Sequence, residues 1–74
     1  MTNARIEVRN DVMLGKPVIR GTRITVEQIL RESALGLTSD QIADQYPRLT
    51  ASDVQAAFAF AADYLGREVA VAAE

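Results

Sequence analysis

A short motif occurs three times in the chain, and it constrains the fold more than any other feature. Each copy has an apolar residue, then a threonine, then a glutamine or aspartate three residues after the threonine; the copies begin at Ile24, Leu37 and Leu49. In this position the threonine side chain accepts a hydrogen bond from the first turn of a helix, and the later polar side chain accepts one from the threonine N–H. Three such motifs, each followed by helical periodicity, predict three helices.

The third predicted helix, Thr50–Leu65, has the clearest periodicity. Six of its sixteen residues are alanine, the strongest helix former. Apolar residues recur at intervals of three and four, which indicates one buried face: Val54, Ala57, Phe58, Ala61, Ala62 and Leu65. Gly66 follows the last of them and predicts the end of the helix, so that residues 66–74 form a tail.

The first two helices are predicted to be shorter. The first runs from about Val26 to Leu35 and ends at Gly36, and the second runs from about Ser39 until Pro47 stops it after Tyr46. Their expected buried residues follow the same helical spacing: Val26, Ile29, Leu30, Ala34, Ile42, Ala43 and Tyr46. Short turns between three helices favour a bundle of helix-turn-helix type.

The N-terminal segment has a different pattern. Residues 5–9 alternate charged and apolar side chains, as a half-buried strand does, and residues 16–20 form a second candidate strand in which Pro17 belongs at the start or on an edge. We therefore predict a mainly α fold with a short N-terminal β segment. The single domain, 1–74, divides into a basic β segment (1–24), the bundle (25–65) and the tail (66–74).

Length and composition exclude several kinds of chemistry. The 74 residues include no cysteine and no histidine, so that disulfides, thiolate metal sites and the commonest acid–base residue are absent. A chain this small buries only about 60% of its unfolded surface, which favours a homodimer or a partner. Asp40 and Asp44 lie one helical turn apart, but a first-turn acid and a solvated neighbour explain them better than a metal site does. We expect no catalytic residues, no cofactor and no metal.

The start of the chain is too polar for a signal peptide, and no apolar run reaches membrane length, so we expect a cytoplasmic protein without membrane contact. Charge is distributed unevenly. Residues 1–23 hold five basic and two acidic residues, whereas residues 24–74 hold three arginines and eight acidic residues. Such a division predicts a basic surface for one partner and an acidic body, unless it is only a mixed, solvated surface.

Several strings together resemble a known family. Residues 15–24 read GKPVIRGTRI, and they are followed by a helix, Gly36, a short helix ending in Tyr46-Pro47, and an alanine-rich helix after Leu49-Thr50. Over roughly residues 6–65 the chain resembles the bacterial domain of unknown function 433 family. The resemblance implies a homeodomain-like fold and an antitoxin of VapB type that binds and silences a PIN-like ribonuclease toxin. It also implies dimers that repress their own operon by binding DNA.

The basic N-terminal segment is the best candidate for such DNA contact. Its candidate residues are Arg5, Arg9, Lys16, Arg20 and Arg23. On a paired β-ribbon they would meet phosphates or enter a groove. The alternative is support of the fold, with Arg20 or Arg23 paired to Glu27, Glu32 or an aspartate of the bundle. The third helix is a poorer DNA reader, because it has no basic residue and Asp53 and Asp63 repel phosphate.

The candidate residues for binding a toxin or for dimerisation lie at the end of the chain: Phe60, Tyr64, Arg67, Val69 and Val71. Phe60 and Tyr64 either complete the core or form an exposed apolar patch. The tail either frays or orders on a toxin, with Val69 and Val71 as anchors and Arg67 against the acidic active site of a PIN-like nuclease.

The resemblance thus implies a toxin-neutralising antitoxin that is not an enzyme, with repression of its own operon as a further expectation. A stand-alone DNA-binding transcriptional regulator without a toxin partner is the alternative, and an assembly module with neither partner comes third.

Overall fold

The computed structural model describes the backbone of residues 4–72 and the side chains of residues 4–67. The elements follow the chain as strand β1 (Ile6–Val8), a 3-10 turn (Met13–Gly15), strand β2 (Pro17–Ile19), and helices α1 (Val26–Ala34), α2 (Ser39–Asp44) and α3 (Ala51–Ala72). The predicted class, mainly α with a short N-terminal β segment, is confirmed. Among the described residues, no helix has the length and apolarity that crossing a membrane requires.

The two strands form an antiparallel hairpin. Ile6 lies opposite Ile19 and Val8 lies opposite Pro17, which stands at the start of its strand as expected. Val18 also bridges to Thr25, the residue that caps α1, so that the hairpin leads directly into the bundle. The strands are shorter than the predicted 5–9 and 16–20 segments.

The three capping motifs occupy the helix starts, as predicted. Thr38 and Gln41 form a complete reciprocal capping box at α2. Thr50 and Asp53 do the same at α3, with N–H···O distances of 3.0 and 3.2 Å. At α1 the Thr25 hydroxyl accepts from the Gln28 N–H at 3.0 Å. No return bond from the Thr25 N–H to Gln28 is made among the described residues, and the Gln28 amide N–H donates to Glu32.

The core lies where the hairpin and the three helices meet. Its largest fully buried side chains come from different elements: Val18, Ile29, Ile42 and Val54. Burying each of these contributes about 1.5–3 kcal/mol relative to leaving it in water. Most of the predicted core residues are confirmed as buried or half-buried, and the half-buried ones pack against this cluster: Leu30, Ala43, Tyr46, Phe58 and Ala61.

Three of the predicted core residues are instead exposed: Ala34, Ala62 and Leu65. Ala34 lies five residues after Ile29, which places it about 140° around the helix from that buried side chain. The buried residues of α1 are Val26, Ile29 and Glu32. Ala62 and Leu65 lie where α3 has passed its last buried residues, so their helical periodicity continues without anything to pack on.

Whether a glycine ends a helix depends on the structure around it. Gly36 has a φ of +98° and ends α1, as predicted. Gly66 was predicted to end α3, which is wrong: the helix continues through it to Ala72, so that residues 66–72 are helical rather than a separate tail. A glycine inside a helix costs only about 1 kcal/mol relative to alanine, which the surrounding helix formers offset. α2 ends two residues before the predicted Tyr46.

Candidate functional site

An apolar groove lies between α1 and the second half of α3, and we call it the α3 groove. Its volume is about 190 Å³ and its lining is almost wholly apolar: Pro17, Val26, Glu27, Leu30, Phe60, Ala61, Tyr64 and Leu65. The sequence pattern identifies two of these residues, Phe60 and Tyr64, as candidates for binding a toxin or for dimerisation. It assigned the exposed Leu65 to the core, because periodicity identifies an apolar face without showing where its cover ends.

Phe60 and Tyr64 have different roles: one contributes to the core, and the other forms part of an exposed apolar patch. Phe60 is half-buried and packs against the core. Tyr64 is 56% exposed, and its ring stacks on Phe60 with centroids 6.4 Å apart and an interplanar angle of 11°. Leu65 beside it is 54% exposed. The core thus fixes one ring of the pair, and that ring holds the exposed one in place.

The remaining residues of this candidate site are positioned by the extension of α3. Arg67 is exposed and follows Tyr64 by three residues, which places the two on neighbouring turns of one helix face. Val69 and Val71 lie on the helical backbone, but their side chains are outside the described ones. Residues 62–67 are all exposed, so this part of the helix has no cover from the bundle.

A charged rim borders the groove at Glu27. Its carboxylate accepts from Arg31 at 2.8 Å and from Lys16 at 3.0 Å. These hydrogen bonds, that from Arg31 first, hold the pKa of Glu27 below its ordinary value. Lys16, predicted as a DNA contact, therefore serves as an ion-pair partner at the edge of the groove.

Three of the other predicted DNA contacts also make ion pairs or hydrogen bonds within the protein. Arg5 bonds Asp53 at 2.8 Å, and Arg9 makes two bonds to Asp11 at 2.9 and 3.1 Å. Arg20 donates to the carbonyl of Ala4 at 2.7 Å and to Glu7 at 3.4 Å. These contacts favour the alternative, in which the basic residues support the fold. Among the described residues, Arg20 pairs with Glu7 of β1, and neither Arg20 nor Arg23 makes the expected pair with Glu27, Glu32 or an aspartate of the bundle.

Arg9 and Arg23 instead line a second cavity, which we call the arginine cleft. It has a volume of about 590 Å³, and it is bordered by β1, the turn before α1 and the loop between α2 and α3: Glu7, Arg9, Val12, Gly21, Thr22, Arg23, Ile24, Tyr46, Pro47 and Arg48. Arg48, which sequence reasoning missed, donates to the carbonyl of Gly21 at 2.9 Å across the cleft. Nothing in the local sequence indicates that contact, since 27 residues separate the two.

A buried carboxylate lies between α1 and the end of α2. Glu32 is only 8% exposed, and its Oε2 accepts from the Gln28 amide at 2.8 Å and from the Tyr46 hydroxyl. Hydrogen bonding to Glu32, followed by burial, raises the pKa of Tyr46 above its ordinary value. Sequence reasoning missed this cluster, although Glu32 continues the three-residue spacing of Val26 and Ile29.

The acidic pair considered as a metal site consists of two exposed residues, Asp40 and Asp44, at opposite ends of the short helix α2. Within residues 4–72, no group of three or more histidine, cysteine, aspartate or glutamate side chains is arranged to hold a metal ion.

These features define a small, mainly α protein with a β-hairpin packed on three helices and an apolar groove beside its last helix. The chain belongs to the family described as "Protein of unknown function (DUF433)", whose profile matches residues 6–61. Its structure is similar to the crystal structure of a DUF433 member protein from Anabaena variabilis ATCC 29413. The two are 30% identical with a TM-score of 0.73, and the match covers 89% of this chain and 68% of that one. No curated protein matches the chain.

Proposed function

We propose that this protein is a non-catalytic antitoxin of a type II toxin–antitoxin pair, and that it binds its toxin through the α3 groove and the helix beyond it. The observation that carries the proposal is the second half of α3, which is helical but exposed over residues 62–67 and presents Tyr64 and Leu65 beside an apolar groove.

A helix without a packed face is poorly stabilised. Most helical stability in proteins comes from tertiary packing of an apolar face, and isolated helices shorter than about 12–15 residues are marginal in water. The backbone of α3 remains helical from Ala62 to Ala72, and its described side chains, those of residues 62–67, are all exposed. A partner that covers this face would provide the missing packing, and a preformed helix lowers the entropy cost of binding.

The groove has the composition of a protein interface. Aromatic residues and arginine are enriched at such interfaces, and here Tyr64 stands one turn before Arg67. Pre-stacking on Phe60 restricts the Tyr64 ring, so that little rotamer freedom is lost when a partner covers it. This arrangement supports recognition by a helix laid against a complementary surface.

The choice of toxin class rests on the family resemblance. Antitoxins of VapB type act on PIN-like ribonucleases, and the exposure of Arg67 on α3 supports a contact with acidic groups of such an enzyme. The chain lacks histidine and cysteine throughout, which agrees with a binding role rather than a catalytic one. A cytoplasmic site of action and a homeodomain-like relationship belong to the same proposal.

The proposal expects a PIN-like ribonuclease to be encoded beside this gene, and the test is co-expression of this protein with that nuclease. We expect the wild-type protein to restore growth and to co-purify with the nuclease. Leu65→Ser should weaken the complex by about tenfold or more, because loss of a buried interface side chain typically costs over 1 kcal/mol. Leu35→Ser is the matched control: Leu35 is 79% exposed at the end of α1 and lies outside the groove lining.

Equal effects of the two serine variants on the complex would contradict docking at this groove. Light scattering of the protein alone examines the predicted homodimer. If wild type is a dimer that Leu65→Ser converts to a monomer, the groove is a self-association surface and the toxin must bind elsewhere.

Operator binding stays a prediction of the resemblance, and a stand-alone DNA-binding regulator without a toxin stays the alternative to the antitoxin. Neither gains support from the basic segment, because four of its five candidate residues make ion pairs within the described structure. A mobility shift on the upstream DNA at low salt tests both, since phosphate contacts weaken steeply as salt rises.

A further inference from the structure

We infer that the arginine cleft is a binding site for a phosphate monoester of mononucleotide size. The inference does not rest on the proposed function, because the arginine cleft and the α3 groove share no lining residue. Three segments that are distant in sequence bring the guanidinium groups of Arg9, Arg23 and Arg48 to this one cavity.

The charge of the cleft is only partly neutralised by the protein. Arg9 is held by Asp11 and by Glu7, whose carboxylate is 3.9 Å away. Arg23 is exposed and makes no ion pair within the described part of the chain. Its positive charge, together with the stronger hydrogen bond from Arg9, contributes to the lowered pKa of Asp11. The cleft therefore has a cation available in a protein whose net charge is −2.

Arg48 is oriented by its own anchor. One of its terminal N–H groups donates to the Gly21 carbonyl, which joins the loop before α3 to the turn before α1. A guanidinium group has five N–H donors in a planar fork, so donors remain for a ligand. Such forks match the oxygens of phosphate and bind them in pairs. Arg23 and Arg48 can thus approach one phosphate from two walls of the cleft.

The walls between the arginines are rigid and partly apolar. The Thr22 hydroxyl donates to the Ile19 carbonyl at 2.8 Å and accepts from the Ile24 N–H at 3.0 Å, which fixes the turn beside Arg23. The Tyr46 hydroxyl is bonded to Glu32, so the ring is the part of this side chain left for a ligand. Pro47 lines the cleft next to it. These residues suit the sugar or base that carries the phosphate.

The size of the cleft favours a small ligand over an extended polymer. A volume of about 590 Å³ lies within the roughly 300–1,000 Å³ of small-molecule sites. Nucleic-acid backbones need cations spread along a surface. Arg5 and Lys16 are occupied by ion pairs away from the cleft lining, and Arg20 is paired with Glu7, which lines the cleft. A mononucleotide needs only the two or three cations that the cleft provides.

Titration of the ¹⁵N-labelled protein with AMP, followed by NMR, tests the inference, with inorganic phosphate and a duplex DNA in parallel. We expect AMP to shift the amides of Gly21, Thr22 and Arg23 in a saturable way. Arg23→Gln should raise the Kd about tenfold, since hydrogen bonds to charged groups are worth that much. Arg31→Gln is the matched control, because Arg31 is exposed on α1 and bonds only Glu27 among the described residues.

Each of the other outcomes overturns the inference. Shifts spread over all basic residues, or an equal loss with Arg31→Gln, would show general charge attraction. Binding of the duplex without binding of AMP would make the cleft part of a nucleic-acid surface. Equal affinity for AMP and inorganic phosphate would refute a site of mononucleotide size. Arg23 makes no ion pair within the described structure, so Arg23→Gln should fold as wild type does, and a thermal melt checks this.

Discussion

Replacing Tyr46 by phenylalanine should destabilise the protein far more than the loss of one oxygen atom suggests. The Tyr46 hydroxyl donates to Glu32, which is 8% exposed. The other oxygen of that carboxylate, Oε1, is buried without a hydrogen-bond partner among the described residues. In Tyr46→Phe the buried charge therefore keeps only the bond from Gln28 at 2.8 Å.

A hydrogen bond to a charged group contributes about 1.5–3 kcal/mol, and a buried group left unsatisfied costs at least as much. We expect Tyr46→Phe to lower the free energy of unfolding by about 1.5–3 kcal/mol. That is a large share of the total for a chain of 74 residues, which is typically about 4–11 kcal/mol. Urea unfolding followed by circular dichroism at 222 nm measures the change.

The same contact predicts a pH dependence. Hydrogen bonding to Glu32 raises the pKa of Tyr46, so the native state holds the phenol proton more tightly than the unfolded chain does. This stabilisation is complete below about pH 10, the ordinary pKa of tyrosine, and is lost as the pH rises through the folded pKa. Tyr46→Phe should therefore lose less stability at alkaline pH than wild type does.

Tyr64→Phe is the matched control, because Tyr64 is 56% exposed and its hydroxyl makes no hydrogen bond to the described residues. It should change the stability by less than about 0.5 kcal/mol. Equal stabilities for the two phenylalanine variants, or an unchanged alkaline loss in Tyr46→Phe, would refute the reasoning.

Two further predictions concern the backbone and the acid side of the pH range. Leu14 is 96% exposed with a φ of +58°, a left-handed conformation that costs a residue with a side chain roughly 1–2 kcal/mol. Leu14→Gly should therefore raise the urea midpoint of unfolding, and Leu14→Ala should not. A lower midpoint for the glycine variant would contradict this. Burial raises the pKa of Asp53, but the hydrogen bonds from Arg5 and Thr50 outweigh it and leave the pKa below its ordinary value. The stability that Asp53 contributes is thus present above about pH 4 and lost as the pH falls through the folded pKa. In Asp53→Asn the free energy of unfolding should therefore fall less steeply at acid pH than in wild type. An equally steep fall in both proteins would contradict this role of Asp53.

The helix starts were predictable from the sequence because their interactions are local. A capping threonine bonds a residue three positions away, so the motif needs no knowledge of the rest of the fold. Thr38 and Thr50 cap their helices as predicted, and Gly36 ends α1 because a left-handed residue is needed directly after the helix. The apolar periodicity also identified Ile29, Ile42 and Val54 as core, because the spacing of apolar residues defines which face of a helix is apolar.

The candidate sites were less predictable because their partners are distant in sequence. The sequence predicts Arg5 as a DNA contact. Packing instead brings its guanidinium group to 2.8 Å from the carboxylate of Asp53, which is 48 residues away. The arginine cleft joins three segments, and no pattern within any one of them indicates Arg48 as a member. The choice of ion-pair partner follows from which segments the core brings together.

A comparison of Gly36 with Gly66 shows which features of the helices the local sequence determined and which the tertiary structure determined. Both glycines follow an apolar helical stretch, and the local pattern predicts a stop at each. The chain turns after Gly36, whereas α3 continues through Gly66 and carries Tyr64 and Leu65 past the edge of the core. Short-range hydrogen bonding determined which segments become helices. Packing determined where the helices lose their cover, because burial depends on what lies opposite a residue and not on its neighbours in sequence.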